Sequence, residues 1–374
     1  MCGIAASAAC AVGPAQPYRL PSVDARGDVW IRVLLADGER SVTVAGPGLD
    51  ESIQAVPGEG LRVNGGSVIS SWRSPLLDTP LTIQAGSRSL QVRGVVEVLA
   101  LYGPEAEGPE GLAVVNEVAL ERYLAGTLGS EMYGSWDIRA LRAQAVASRT
   151  YAIHQRDDRR NAPWHLTAGT RSQVYGGVAA ESAAVEQALA DTRGQILVER
   201  GHPILAVFHS SSGGQTASSE EVWGQSRPYL VSVPVADEWD SPDAYWRATV
   251  TRGTLGRAVA SLGQDLGPIV AARIVERTGS GRVARVQLEG ERGSATVTGR
   301  QLRTALGESK LKSTLFELRE DGEDFVFVGS GSGHGVGMSQ WGARAMARRG
   351  DDYLEILGTF YPGAEITRLS GGTR

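Results

Sequence analysis

Cysteine is almost missing from this chain: Cys2 and Cys10 are the two present, and both lie in the first ten residues. The rest of the chain can hold neither a disulfide nor a thiolate-bound metal, and no Cys-x-x-Cys occurs. Long apolar runs are missing too. None approaches the ~18 residues of a membrane span, so no transmembrane segment is expected. There is no excess of positive charge, since the net charge is −5 with a pI near 5.7. Phosphate backbones need a basic face, which excludes nucleic acid as the main partner. The five histidines, at 154, 165, 202, 209 and 334, form no His-Glu-x-x-His and no close pair. The acids from Asp237 to Asp243 lack calcium-loop spacing and read as a solvated loop. No metal and no cofactor is expected. The opening MCGIAASAAC is small and apolar but lacks the basic n-region of a signal peptide. It reads either as the remnant of a lipoprotein signal ending at Cys10, with the true start upstream, or as a disordered tail.

What is present is ordinary globular material with many glycines. Hydrophobic content is 42% and charged content 21%, enough for a real core, and the length allows two or three domains. Glycine numbers 48, about 13% against a usual ~7%, which implies many tight turns and at least one glycine-rich site loop. The fold class expected is α+β: an N-terminal antiparallel β module, then a mixed helix and strand catalytic region with a substrate groove. Residues 1–26 read as tail and linker, 27–112 as the β module, and 113–366 as the catalytic region, with a smaller α+β section at about 246–320. Within the β module, Asp37-Gly38 between two β-rich runs signals a hairpin. Further on, a helix is expected from about Leu120 to Leu128. A second runs to about Arg156, with Ser135 as N-cap and Asp137 in its first turn.

Glu131 sits at the break between those two helices. Position alone would make it a capping or surface acid. Its company points elsewhere: Tyr133 and Trp136 suit polysaccharide contact, and Gln144, Arg149 and Tyr151 follow on the next helix. A carboxyl partly walled by Met132 and aromatics has its ionised form disfavoured, which moves its pKa toward a general acid's working range. Two later stretches have the make-up of site loops. Ser210, Ser211, Ser212 and Gly213 follow a strand end at Phe208-His209 and offer hydroxyls to sugar hydroxyl and acetamido groups. His334 lies among glycines at 329, 331, 333, 335 and 337, which leave the backbone open to close approach. No Gly-Lys-Ser/Thr follows, and Gly-x-Ser-x-Gly is absent there, so neither a phosphate loop nor a hydrolase elbow fits. A serine nucleophile with His209 or His334 as base is a composition-level alternative only, because nothing marks one serine over its neighbours.

Four ordered blocks carry a resemblance. LERYLAGTLGSEMYGSWDIRALRAQAVASRTYAIH resembles the signature of the stage II sporulation protein D / LytB family, with Arg122 standing between Glu121 and Tyr123-Leu124. Gln173-Val174-Tyr175-Gly176-Gly177 matches next. Ser211-Ser212-Gly213-Gly214 with Trp223 after it follows, and then Gly333-His334-Gly335-Val336-Gly337-Met338-Ser339-Gln340-Trp341-Gly342-Ala343. The resemblance implies a lytic transglycosylase of peptidoglycan in the cell envelope, with Glu131 as its single catalytic acid. For such a reaction, Gln144, Arg149, Tyr151, Gln173, Tyr175, Ser210 to Ser212, Gly213, His334 and Gln340 are expected to position the glycan. Some relatives hold zinc near the Gln-Val-Tyr block; Arg171-Ser172 stand there in this chain, so no zinc is expected. Other relatives are enhancers of cell-wall amidases. A glycan-binding module acting on an amidase partner is therefore the alternative reading.

Overall fold

In the computed structural model, residues 28–102, 109–170 and 172–369 are described. The expected tail, Cys2, Cys10 with its lipid-anchor reading, and Arg171 lie outside the described residues. The fold is mixed α+β, with eight α-helices among the described residues. None of these helices is long and apolar enough to cross a membrane.

The N-terminal part is built from nine strands: β1 (Trp30–Glu39), β2 (Ser41–Gly46), β3 (Leu49–Val56), β4 (Gly60–Val63), β5 (Val68–Ile69), β6 (Ser71–Arg73), β7 (Leu77–Ala85), β8 (Arg88–Tyr102) and β9 (Pro109–Ala119). Alternating residues drive them together: Val42 and Val44 face inward from β2, and Leu81 and Ile83 from β7, while their neighbours face water. A short tenth strand, β10 (Leu166–Thr167), adds parallel to β1 and completes one sheet in the order β10-β1-β9-β8-β7-β2-β3-β4-β5, with β6 against β8. The hairpin expected at Asp37-Gly38 is not there. β1 pairs with β9 and β10, and β2 pairs with β3 and β7. Gly38, at φ 76°, sits instead in an irregular stretch of β1 against Gly111, where an added Cβ would lie 2.8 Å from its backbone.

The boundary expected at residue 112 falls inside β9, which runs directly into α1 (Leu120–Glu131). One hydrophobic core spans both sides: Val33 and Val96 from the sheet join Leu124, Leu128, Leu141 and Val146 from the helices. The centre of this part is α2 (Ile138–Asp158), which packs against α1, α3 (Ala183–Asp191), and the later α7 (Gln340–Arg349) and α8 (Tyr353–Phe360). Its N-cap is Asp137, not Ser135: the Asp137 carboxylate accepts the N–H of Arg139 at 2.9 Å, which leaves Asp137 outside the helix proper. Small residues line α2 from Ala140 to Ala152, which lets its neighbours approach closely.

The chain continues through a hairpin of β11 (Gln195–Glu199) and β12 (His202–Pro203), then β13 (Phe208–His209) and the short α4 (Ser219–Trp223). A second core follows. It is formed by β14 (Trp246–Thr251), α5 (Arg252–Ala260), β15 (Ile269–Arg277), β16 (Val283–Gly290), β17 (Gly293–Thr298), α6 (Gly299–Leu306), β18 (Phe316–Asp321) and β19 (Asp324–Gly329). Leu255, Val286, Leu302, Phe325 and Phe327 pack there as a cluster separate from the first. The smaller α+β section thus extends to 329 rather than 320, because β19 is the central strand of the β14-β19-β18 sheet. β20 (Met338–Ser339) returns the chain to the first core, and β21 (Glu365–Arg368) closes on β11.

Candidate active site

Glu131 is the last residue of α1, and Met132 leaves the helix in an extended conformation. The carboxylate is half-buried and held at both oxygens: Oε1 accepts the Val174 N–H at 2.7 Å, and Oε2 accepts the Gln340 side-chain amide at 3.2 Å. Burial pushes this carboxyl above the ordinary glutamate range, against the lowering effect of those two hydrogen bonds. The C-terminal end of α1, which disfavours negative charge, acts in the same direction as burial.

The Gln-Val-Tyr block alternates, and the alternation gives its three residues different jobs. Gln173 and Tyr175 point inward. The Gln173 Oε1 accepts the Tyr123 hydroxyl at 2.8 Å, and the Tyr175 hydroxyl donates to Asn116 Oδ1 at 3.0 Å, with its ring stacked on Tyr123. Both side chains are fully buried and do not border the groove. They fix this segment so that the Val174 N–H between them meets Glu131. Gln144 and Arg149 are interior as well. Gln144 donates to Ser148 Oγ at 3.0 Å. Arg149 makes two 2.8 Å hydrogen bonds to the Glu121 carboxylate and a third, at 3.2 Å, to the Gln195 carbonyl. It fastens α1, α2 and β11 together and is 0% exposed, so it does not reach the groove. Tyr151 and Ser210, by contrast, line the cavity with Glu131.

Two loops far apart in sequence are joined beside this acid. β13 and β20 pair in parallel, with Phe208 opposite Met338 and His209 opposite Ser339. Ser211 and Ser332 exchange backbone hydrogen bonds of 3.1 and 2.8 Å, and the Ala217 N–H donates to the Gly335 carbonyl at 2.7 Å. The Ser210 carbonyl accepts the Trp341 N–H at 3.0 Å, next to the Gln340 that binds Glu131. Gly331, Gly333, Gly335 and Gly337 all have positive φ, from 70° to 103°, which explains the alternating glycines of this stretch. Ser211 and Ser212 are buried. Ser212 gives its N–H and hydroxyl to the Glu238 carboxylate at 3.0 and 2.6 Å, and Gly213 turns with φ 74°.

Glu238 was hidden in the acidic stretch read as solvated. It is 6% exposed and also accepts the Gly214 N–H and the Ser339 hydroxyl. It therefore couples the serine loop to the N-cap of α7. Spacing gave no sign of this, because the donors lie 24 to 101 residues away.

His334 is half-buried and lines the cavity. Its Nδ1 accepts the Val336 N–H at 3.1 Å, and its ring lies 5.5 Å from those of His209 and Trp223. Burial lowers its pKa to about 4, so the imidazole is neutral at neutral pH. His209, also pushed down by burial, points its Nδ1 at the Val336 carbonyl. No serine hydroxyl among the described residues is hydrogen-bonded to either ring, so the arrangement needed for a serine nucleophile is absent there.

The cavity these groups border has a volume of about 1010 Å³. One wall holds Glu131, Tyr151, Val174, Ser210, His334 and Gln340; the other comes from the second core and includes Glu276, Arg282, Arg285, Arg300 and Arg303. Glu221 and Trp223 of α4 also line it. Tyr133, Trp136 and Trp341 form an aromatic cluster in the residues next to Glu131 and Gln340, with ring centroids 5.7 and 4.9 Å apart and Arg344 set over both tryptophans.

This geometry belongs to a mixed α+β protein with one partly desolvated acid at the meeting point of three distant segments. Residues 109–198 match the family model for stage II sporulation protein, and residues 236–337 match a domain of unknown function (DUF8618). Stage II sporulation protein D of Bacillus subtilis is 31% identical over 269 residues, 68% of this chain and 76% of that protein. An uncharacterized protein of Brachyspira hyodysenteriae is 34% identical over 256 residues, 68% of each chain. An amidase enhancer of Bacillus subtilis is 29% identical over 295 residues, 65% of this chain but 40% of that protein. The chain belongs to the stage II sporulation protein D family.

Proposed function

We propose that this protein is a peptidoglycan lytic transglycosylase acting in the cell envelope. The observation that carries the reading is the setting of Glu131: a carboxyl raised in pKa by burial, held at both oxygens, on the wall of a groove large enough for a glycan. A single carboxyl suffices for this chemistry. Protonated Glu131 gives its proton to the glycosidic oxygen between N-acetylmuramic acid and N-acetylglucosamine as the C1–O bond breaks. The resulting carboxylate then takes the proton of the muramic C6 hydroxyl, whose oxygen bonds to C1. The products are a 1,6-anhydromuramic end and a free N-acetylglucosamine hydroxyl, with no water consumed. Hydrolysis would use a second carboxylate. Glu220 is exposed and does not line the cavity. The other carboxylates that do are each engaged by a neighbour: Glu221 accepts the N–H and hydroxyl of Ser280 at 3.1 and 2.7 Å, Glu276 lies 3.8 Å from Arg285, and Glu308 lies 2.9 Å from Arg303. Tyr151, Ser210, His334 and Gln340 border the space where the sugars would lie and position them.

The relative named an amidase enhancer supports a second reading, in which the groove binds glycan and recruits an amidase without cleaving. Glu131→Gln separates the two. Under the first reading it lowers turnover of glycan strands by about 10³-fold while a glycan pull-down is unchanged. No cleavage by the wild type, with glycan binding retained in both proteins, would favour the binding module.

A further inference from the structure

The groove wall contributed by the second core is rich in arginine, and the cleavage chemistry above uses none of it. Arg282, just before β16, is 3% exposed. Its Nη2 donates to the carbonyls of Ser212 and Gln215, both at 2.9 Å. Its Nε and Nη1 are buried and find no acceptor among the described residues. The nearby carboxylates are committed elsewhere, Glu221 to Ser280 and Glu238 to the serine loop. Arg282 is nonetheless firmly seated. A Cβ on Gly335 would come within 2.5 to 2.7 Å of three atoms of its guanidinium, so the glycine after His334 is what admits it. Arg300, at the start of α6, is exposed, lines the same cavity and has no carboxylate partner among the described residues. Arg303 and Arg285 lie on this wall too, but they are paired with Glu308 at 2.9 Å and Glu276 at 3.8 Å. One face of the groove thus carries Arg300 without a carboxylate partner and Arg282 with two unfilled donors. Neutral sugars do not need them, whereas a planar guanidinium matches a carboxylate.

We infer that this wall is an anion subsite in which Arg300, backed by the fixed charge and free donors of Arg282, takes a carboxylate carried by the glycan strand. The inference rests on the peptidoglycan reading and deepens it. Such strands carry carboxylates on the lactyl group of muramic acid, when it is unsubstituted, and on the stem peptides; the subsite chemistry is the same for both.

The test uses the full chain carrying Glu131→Gln, so that nothing is cut, and calorimetric titration at low salt with three strands. These are a peptide-free strand, the same strand with its muramic carboxyls reduced to alcohols, and a peptide-bearing strand. The peptide-free strand is expected to bind about tenfold tighter than the reduced one, and added Arg300→Ala to remove that advantage while leaving the reduced strand's affinity unchanged. Arg300→Lys restores part of it. Substituting Arg282 risks unfolding, so Arg300 carries the test. Tight, Arg300-dependent binding of the peptide-bearing strand as well shows that the subsite also takes a stem-peptide carboxylate; binding as weak as that of the reduced strand restricts it to the lactyl group. Equal affinity for the reduced and unreduced strands together with Arg300-independent binding of the peptide-bearing strand, or equal loss for all strands in Arg300→Ala, overturns the subsite and leaves the glycan reading intact. No binding of any strand overturns both.

Discussion

At Glu131, the property on which the proposed catalysis rests is one that works against folding. Its carboxyl is raised by burial, so the folded state favours the protonated form. The stability associated with this group is full below the ordinary glutamate range and declines as pH rises through the raised value. Glu131→Gln should therefore be at least as stable as the wild type at pH 8, by thermal melting, with the gap closing on acidification; a variant markedly less stable at pH 8 would contradict this account of the acid. Activity has the same sign, falling on the alkaline side as Glu131 loses its proton. His165 and His334 work in the opposite direction. Burial lowers both to about 4, so they add stability that is present above the ordinary histidine value and is lost as pH falls from about 6.5 toward 4. The raised pKa of Glu131 was legible in the sequence because its aromatic and apolar neighbours are adjacent in the chain. Glu238 was not, because its burial depends on donors brought in by the fold.

At the scale of elements, sequence periodicity located the two helices around Glu131 but not which face of α2 meets the groove. Gln144, Arg149 and Tyr151 look alike as polar residues of one helix, yet Tyr151 alone of the three lines the cavity. Arg149 binds Glu121 across to α1, and a motif residue can owe its place to such a link as readily as to substrate. Arg149→Ala strands Glu121 against the core and should cost about 3 kcal/mol or more in urea unfolding. The kcat/KM of the molecules that remain folded should stay within about threefold of the wild type. A large loss of kcat/KM without loss of stability would return Arg149 to the glycan. The Asp37-Gly38 turn failed for a related reason. A two-residue turn signal is local, whereas the partners of β1 and β2 are set by β9 and β7, which the sequence reading did not pair.

Across the whole molecule, two hydrophobic cores meet at one groove. The second is inserted between the serine loop and the His334 loop, so its folding and the closure of the groove are linked through the chain. Phe325→Ala, at a fully buried site in the second core, should cost about 3–5 kcal/mol there. Native-state hydrogen exchange should then show lost protection confined to 246–329, while α2 keeps its own; uniform loss would mean that the two cores unfold as one unit. Both helices of this part and the strands β15, β16, β17 and β19 were readable in the sequence, whereas β14 and β18 were not read. Its service as the far wall was not readable, because its arginines are scattered through 282–303 and meet only in the fold. The central claim is that Glu131 alone drives an intramolecular cleavage, and mass spectrometry of the strand ends produced by the wild type from peptide-free glycan tests it most directly. Anhydromuramic ends, absent with Glu131→Gln, are the predicted result; reducing ends carrying one added water would contradict it.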